Sequence, residues 1–157
     1  MKIQSNSAAM TLNSFDLSFV REKLSNDGKL SDSEISQAEE EFRKFLALVL
    51  KYDGPLAMID KRVDEFWHSF ILFTPQYRQF CSEVMGFFVD HQPRTSTTPV
   101  PTSAIANFVA AYKAEYGELP SYWVETVDNV IRAAIESGNV PEDLAFQWSG
   151  WTGRGGI

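Results

Sequence analysis

Sulfur and imidazole are scarce in this chain: among 157 residues there is one cysteine, Cys81, and only two histidines, His68 and His91. A lone thiol closes no disulfide within the chain, so the fold must rest on its core, and a reducing compartment, the cytoplasm, is the expected setting. Basic residues are also in deficit, 14 Lys and Arg against 21 Asp and Glu, giving a formal net charge of -7 and a pI near 4.8. That balance opposes attachment to phosphate backbones, so no direct nucleic-acid contact is expected. Apolar runs long enough to span a bilayer are missing, and the opening MKIQSNSAAMTLNSFD lacks the apolar stretch of a secretory leader. The expectation is a soluble, intracellular protein with no membrane partner. Strand-like alternation, internal repeats and a heptad series are absent too, which leaves helices. What is present is a 44% hydrophobic, 13% aromatic composition, enough to bury the core of one compact domain.

Residues 1–13 have no periodicity and read as a flexible N-terminus. A short helix is predicted from Ser14, with Phe15, Phe19, Val20 and Leu24 on one side. The next begins at a capping box formed by Ser31 and Glu34 and repeats apolar residues at Ile35, Ala38, Phe42, Phe45, Leu46 and Val49 before Gly54 and Pro55. A third, from near Ile59, turns Val63, Phe66, Trp67 and Phe70 inward. Thr74 is placed to cap a fourth, with Pro75 in its first turn, making an αα-hairpin. From Gln92 to Thr102, QPRTSTTPVPT reads as an extended linker. A fifth helix carries Ile105, Phe108, Val109, Tyr112 and Tyr116 to a stop at Gly117, and a sixth follows Pro120 with Val124, Val127, Ile131, Ala134 and Ile135, ending at Gly138. The predicted architecture is all-α: an irregular bundle of five to six helices around the central hairpin, one domain over 14–146, then a flexible Gly/Trp tail over 147–157.

The one cysteine and both histidines all fall between Val63 and His91. Asp64 and His68 stand one helical turn apart, a spacing that lets both grip one ion, or lets the carboxylate orient the imidazole. Cys81 falls at a similar height on the following helix, on an apolar face with Tyr77, Val84 and Phe88. A continuous helix would carry His91 about 15 Å beyond Cys81, so His91 joins only if the chain folds back, for which Gly86 and Pro93 offer the means. Asp64, His68, Cys81 and His91 would then make a four-coordinate site for zinc or another transition metal. The spacing matches neither zinc-finger pairs nor the HExxH helix. Cys81 as nucleophile with His68 as base and Asp64 as orienting group is a second arrangement, opposed by burial of the thiol. In a third, the residues are structural: His68 held by Asp64, Trp67 anchoring the core, Tyr77 bridging the hairpin, Cys81 as filler. The run Glu39, Glu40, Glu41 reads as a solvated helix face.

The ordered set Asp64, Trp67, His68, Leu72, Tyr77, Cys81, Gly86 and His91, in the form DxxWHxxxLxxxxYxxxCxxxxGxxxxH, resembles the glycine-rich domain-containing protein-like family of plant, fungal and bacterial proteins. Phe70 stands where that family commonly has a further histidine, which removes one ligand. The stretch AYKAEYGELPSYW, Ala111 to Trp123, is similar to a pattern that follows in bacterial relatives. The resemblance implies a shared structural unit built on the Trp67, Tyr77 and Gly86 cluster and no established enzymatic activity. The function expected is a small acidic cytoplasmic interaction or adaptor module, noncatalytic, with a protein partner and room for a structural metal at Asp64, His68, Cys81 and His91. Two alternatives stand beside it: a metal-dependent hydrolase using Asp64, His68 and His91, and an inhibitor offering Glu39–Glu41 to a basic surface of a nucleic-acid enzyme.

Overall fold

In the computed structural model, residues 12–93, 95, 97, 102–125, 127, 129–137 and 150–152 are described. The N-terminus expected to be flexible lies outside them except for Leu12 and Asn13, and the tail except for 150–152. Helices dominate, and the protein is an all-α bundle in class. No helix among the described residues is long and apolar enough to cross a membrane. The chain divides into two compact units, Met1–Lys51 with Arg62–Val89, and Tyr52–Lys61 with Asp90–Ile157.

The first unit contains helices α1 (Ser18–Asp27) and α2 (Asp32–Lys51), and, from Arg62 onward, the hairpin of α3 (Lys61–Leu72) and α4 (Thr74–Phe80). Helix α2 starts where the capping box places it: the Glu34 N–H donates to the Ser31 hydroxyl at 3.2 Å. The reciprocal contact is altered, because Glu34 accepts from that same hydroxyl at 3.3 Å. Ile35, Ala38, Phe42, Phe45, Leu46 and Val49 are all buried, as their spacing predicts. Their aromatic rings meet α3, Phe42 and Phe45 lying 5.9 Å and 5.5 Å from Trp67. Before α1 the chain is tied down from α2: Arg43 donates to the carbonyls of Leu12 (2.6 Å) and Phe15 (2.8 Å) and pairs with Glu39. Leu12 is buried.

Two features of the hairpin differ from expectation. Phe73, not Thr74, is the N-cap of α4; no side chain caps it, and Pro75 sits within the first turn. Helix α4 is also short. At Cys81 it widens into a π-turn, Cys81–Met85, whose final hydrogen bond runs from the Gly86 N–H to the Cys81 carbonyl at 2.8 Å. Gly86 then takes the left-handed conformation, φ 81°, and the chain reverses.

The second unit contains α5 (Thr102–Tyr116), a 3-10 turn (Ser121–Val124) and α6 (Asn129–Ser137). The single helix expected after Pro120 is thus split, and Arg132 of α6 donates back to the Val124 carbonyl at 2.8 and 3.1 Å. Trp123 packs on Phe108, centroids 4.7 Å apart. The same unit holds a small antiparallel sheet of β1 (Leu56–Met58), β2 (Gln92–Pro93) and β3 (Gly150–Thr152) in the order β1-β3-β2. Strands of two or three residues carry no readable alternation, and all three residues of β1 are buried, which erases the pattern altogether.

Gly86 has no heavy atom within 4 Å of where a Cβ would stand, so its requirement is set by the backbone alone. Gly86→Ala is expected to lower stability by about 1–2 kcal/mol, the left-handed penalty of an L-residue, read as a lower urea midpoint at unchanged slope.

Candidate functional site

The helical period of α3 puts Asp64 and His68 on one border of its apolar stripe. Asp64 Oδ1 lies 3.4 Å from His68 Nε2. The carboxylate side chain is 10% exposed and the imidazole 45%, so one partner is fixed within the protein while the other meets solvent. Trp67, between them in sequence, is fully buried and donates its Nε1–H to the Tyr77 hydroxyl across the hairpin at 3.2 Å. Tyr77 in turn donates to the carbonyl of Val89, and the Val89 N–H donates to Cys81 Sγ at 3.5 Å. Both polar groups of a fully buried residue are therefore held from α4 and the π-turn.

This clamp follows the reversal at Gly86 and lies two residues before His91. An imidazole nitrogen beside a carboxylate oxygen, as in His68 and Asp64, suits zinc and neighbouring divalent transition ions better than calcium or magnesium, which favour all-oxygen sets.

Cys81 lies on the facing part of the hairpin. Its side chain is 1% exposed and its sulfur is taken by the Val89 amide, because the π-turn directs it toward the returning strand of chain. The same burial removes the access that the nucleophile reading requires. Phe88, expected on the apolar face with Cys81, is instead 54% exposed, since the chain has left the helix before reaching it. The acidic run on α2 is not uniformly solvated either: Glu39 pairs with Arg21 and Arg43, Lys44 reaches Glu40 and Glu41, and Glu41 is only 4% exposed. Val89, whose contribution is its backbone, was missed by sequence reasoning, and no side-chain signal marks it.

Fold and site together describe a helical protein whose hairpin ends in a clamped turn and carries a carboxylate–imidazole pair. The chain matches the UCP032817-like family over residues 7–113, well over half its length, and belongs to that family. No curated protein and no solved structure matches it.

The buried thiol supplies a direct check on this geometry. In the native protein Cys81 is expected to react with an aromatic disulfide reagent only as fast as the hairpin opens, and at the rate of a free thiol in denaturant; fast labelling of the folded chain would contradict the clamp.

Proposed function

We propose that this protein is a metal-binding helical interaction module, in which Asp64, His68 and His91 hold one divalent transition ion, zinc or a close relative, and the α3–α4 hairpin supplies the rigid frame. The observation that carries the reading is the Asp64–His68 pair, a buried carboxylate 3.4 Å from an imidazole exposed enough for an ion to enter. The ion acts as a clip: ligands distant in sequence are joined, so binding free energy adds to the stability of the folded hairpin. The role is noncatalytic, carried out with a protein partner in the cytoplasm. The lack of an accessible nucleophile at Cys81 and the acidic net charge of -7 support it. The resemblance to glycine-rich domain-containing relatives belongs to the same proposal, since the residues that carry it, from Asp64 to His91, are those of the hairpin and its return.

One observation favours a second reading. Three protein ligands leave coordination positions for solvent, the arrangement of catalytic rather than closed structural sites, and a bound ion would supply Lewis-acid activation of water for hydrolysis. The third possibility, an acidic inhibitor, has less support, because of Glu39–Glu41 only Glu40 stands exposed.

Calorimetric titration of the tag-free protein with zinc is expected to give one site per chain, and Asp64→Ala, His68→Ala and His91→Ala each to weaken it at least about tenfold. Protons compete with the ion for both imidazoles, so affinity falls on acidification and recovers on return to neutral pH. Absence of stoichiometric binding would refute the metal centre, and metal-dependent cleavage of a model phosphoester, abolished by the same variants, would favour the hydrolase over the clip.

A further inference from the structure

We infer that a groove between helix α1 and the α3–α4 corner is a docking site for an arginine side chain of the partner protein, held by Glu22 and Asn26 over the rings of Phe19 and Phe73. This gives a surface and a partner chemistry to the interaction role proposed above and rests on that role, but it is independent of the ion. Every residue involved lies in the first unit.

The groove follows from the period of α1. Leu17, Val20 and Leu24 turn into the core, which leaves Phe19, Glu22, Lys23 and Asn26, at i, i+3, i+4 and i+7, on a shared outer stripe. Phe73, the N-cap of α4, meets that stripe from the hairpin. Its ring and that of Phe19 stand edge to face, centroids 4.9 Å apart, and both residues are half-buried. Such a pair leaves the faces of the edge-on ring to other contacts, and a ring face attracts a cation. With Asp27, these side chains line a groove of about 410 Å³, room for one long side chain.

Charge selects the occupant. Lys23 Nζ lies 2.7 Å from Asp27 Oδ2, so those two charges offset each other. Glu22 and Asn26 make no hydrogen bond or ion pair with any described residue. The groove therefore carries one uncompensated negative charge, on a chain whose net charge is -7, and its complement is a basic group. Arginine fits better than lysine. Its planar guanidinium lies flat on a ring while its forked N–H groups donate to the Glu22 carboxylate and the Asn26 amide oxygen. Leu72, directly before Phe73, is 68% exposed and offers apolar surface to a residue flanking that arginine.

The test is a chemical-shift titration of the isotope-labelled full chain, in excess chelator, with the acetylated and amidated tripeptide leucine-arginine-leucine. Saturable binding with a dissociation constant of about 1 mM or tighter is expected, with shifts centred on residues 19–26 and 72–73. Replacing the arginine by citrulline, which keeps the shape and removes the charge, should weaken binding about twofold to fivefold or more. Glu22→Gln and Phe73→Leu should each do the same, one by removing the carboxylate and the other the ring face. Lys23→Gln should act in the opposite direction, tightening binding about twofold, because it leaves Asp27 uncompensated; a damaged fold would not gain affinity. Glu83→Gln, which neutralises an exposed carboxylate of the π-turn, should change nothing. Raising salt from about 0.1 M to about 1 M, which shortens the Debye length from about 10 Å to about 3 Å, should weaken the complex. No saturable shift, equal affinity for the citrulline peptide, or an equal loss in Glu83→Gln would overturn the arginine site. So would a self-association in sedimentation that Glu22→Lys abolishes, since the occupant would then be a second copy of this chain. Because the titration is run without free metal, its failure and that of the zinc titration are read separately.

Discussion

The hydroxyl of Tyr77 is the point on which the hairpin turns. It lies between a tryptophan on one helix and a backbone carbonyl on the segment that leaves the other, accepting from the first and donating to the second. Buried, it would be costly with either bond unmade, so both partners must be in place for the hairpin to close. Each of its neighbours serves a further purpose. Trp67 fills the space between Phe42 and Phe45, joining the hairpin to α2, and Val89 fixes the start of the chain that leads to His91. One polar atom thus couples the aromatic core to the segment that returns from the π-turn.

The hairpin gathers its polar groups by two routes. Asp64 and His68 need nothing more than a helix to stand together, since one turn of α3 separates them. The clamp on Val89 needs the π-turn, a left-handed glycine and two hydrogen bonds. The result is asymmetric: a local pair that any amphipathic helix would provide, and a returning segment whose place depends on tertiary hydrogen bonds.

Much of the helical fold was legible in advance. Ile35 through Val49 on α2 and Val63 through Phe70 on α3 announce their buried faces because a 3.6-residue period shows in any sequence that repeats it over several turns. The capping box at Ser31 was legible for the same local reason. The sheet was not, because strands as short as Gln92–Pro93 contain too few residues to display a period, and their pairing with Gly150–Thr152 joins parts of the chain nearly sixty residues apart. The split after Pro120 was hidden as well: Val124, Val127, Ala134 and Ile135 keep a helical spacing although a 3-10 turn and a separate helix carry them.

By itself, the sequence determined which atoms were available for chemistry: one thiol, two imidazoles and a carboxylate one turn from the first of them. It also determined the all-α class, since period and caps are written into neighbouring residues. Only the tertiary structure decided which of those atoms meet. It brought Cys81 to a backbone amide, because the direction of the chain after Met85 is set by hydrogen bonds to Val89 between residues eight and twelve positions apart. Such bonds leave no periodic trace, as their donors and acceptors are partly main-chain groups that every residue possesses.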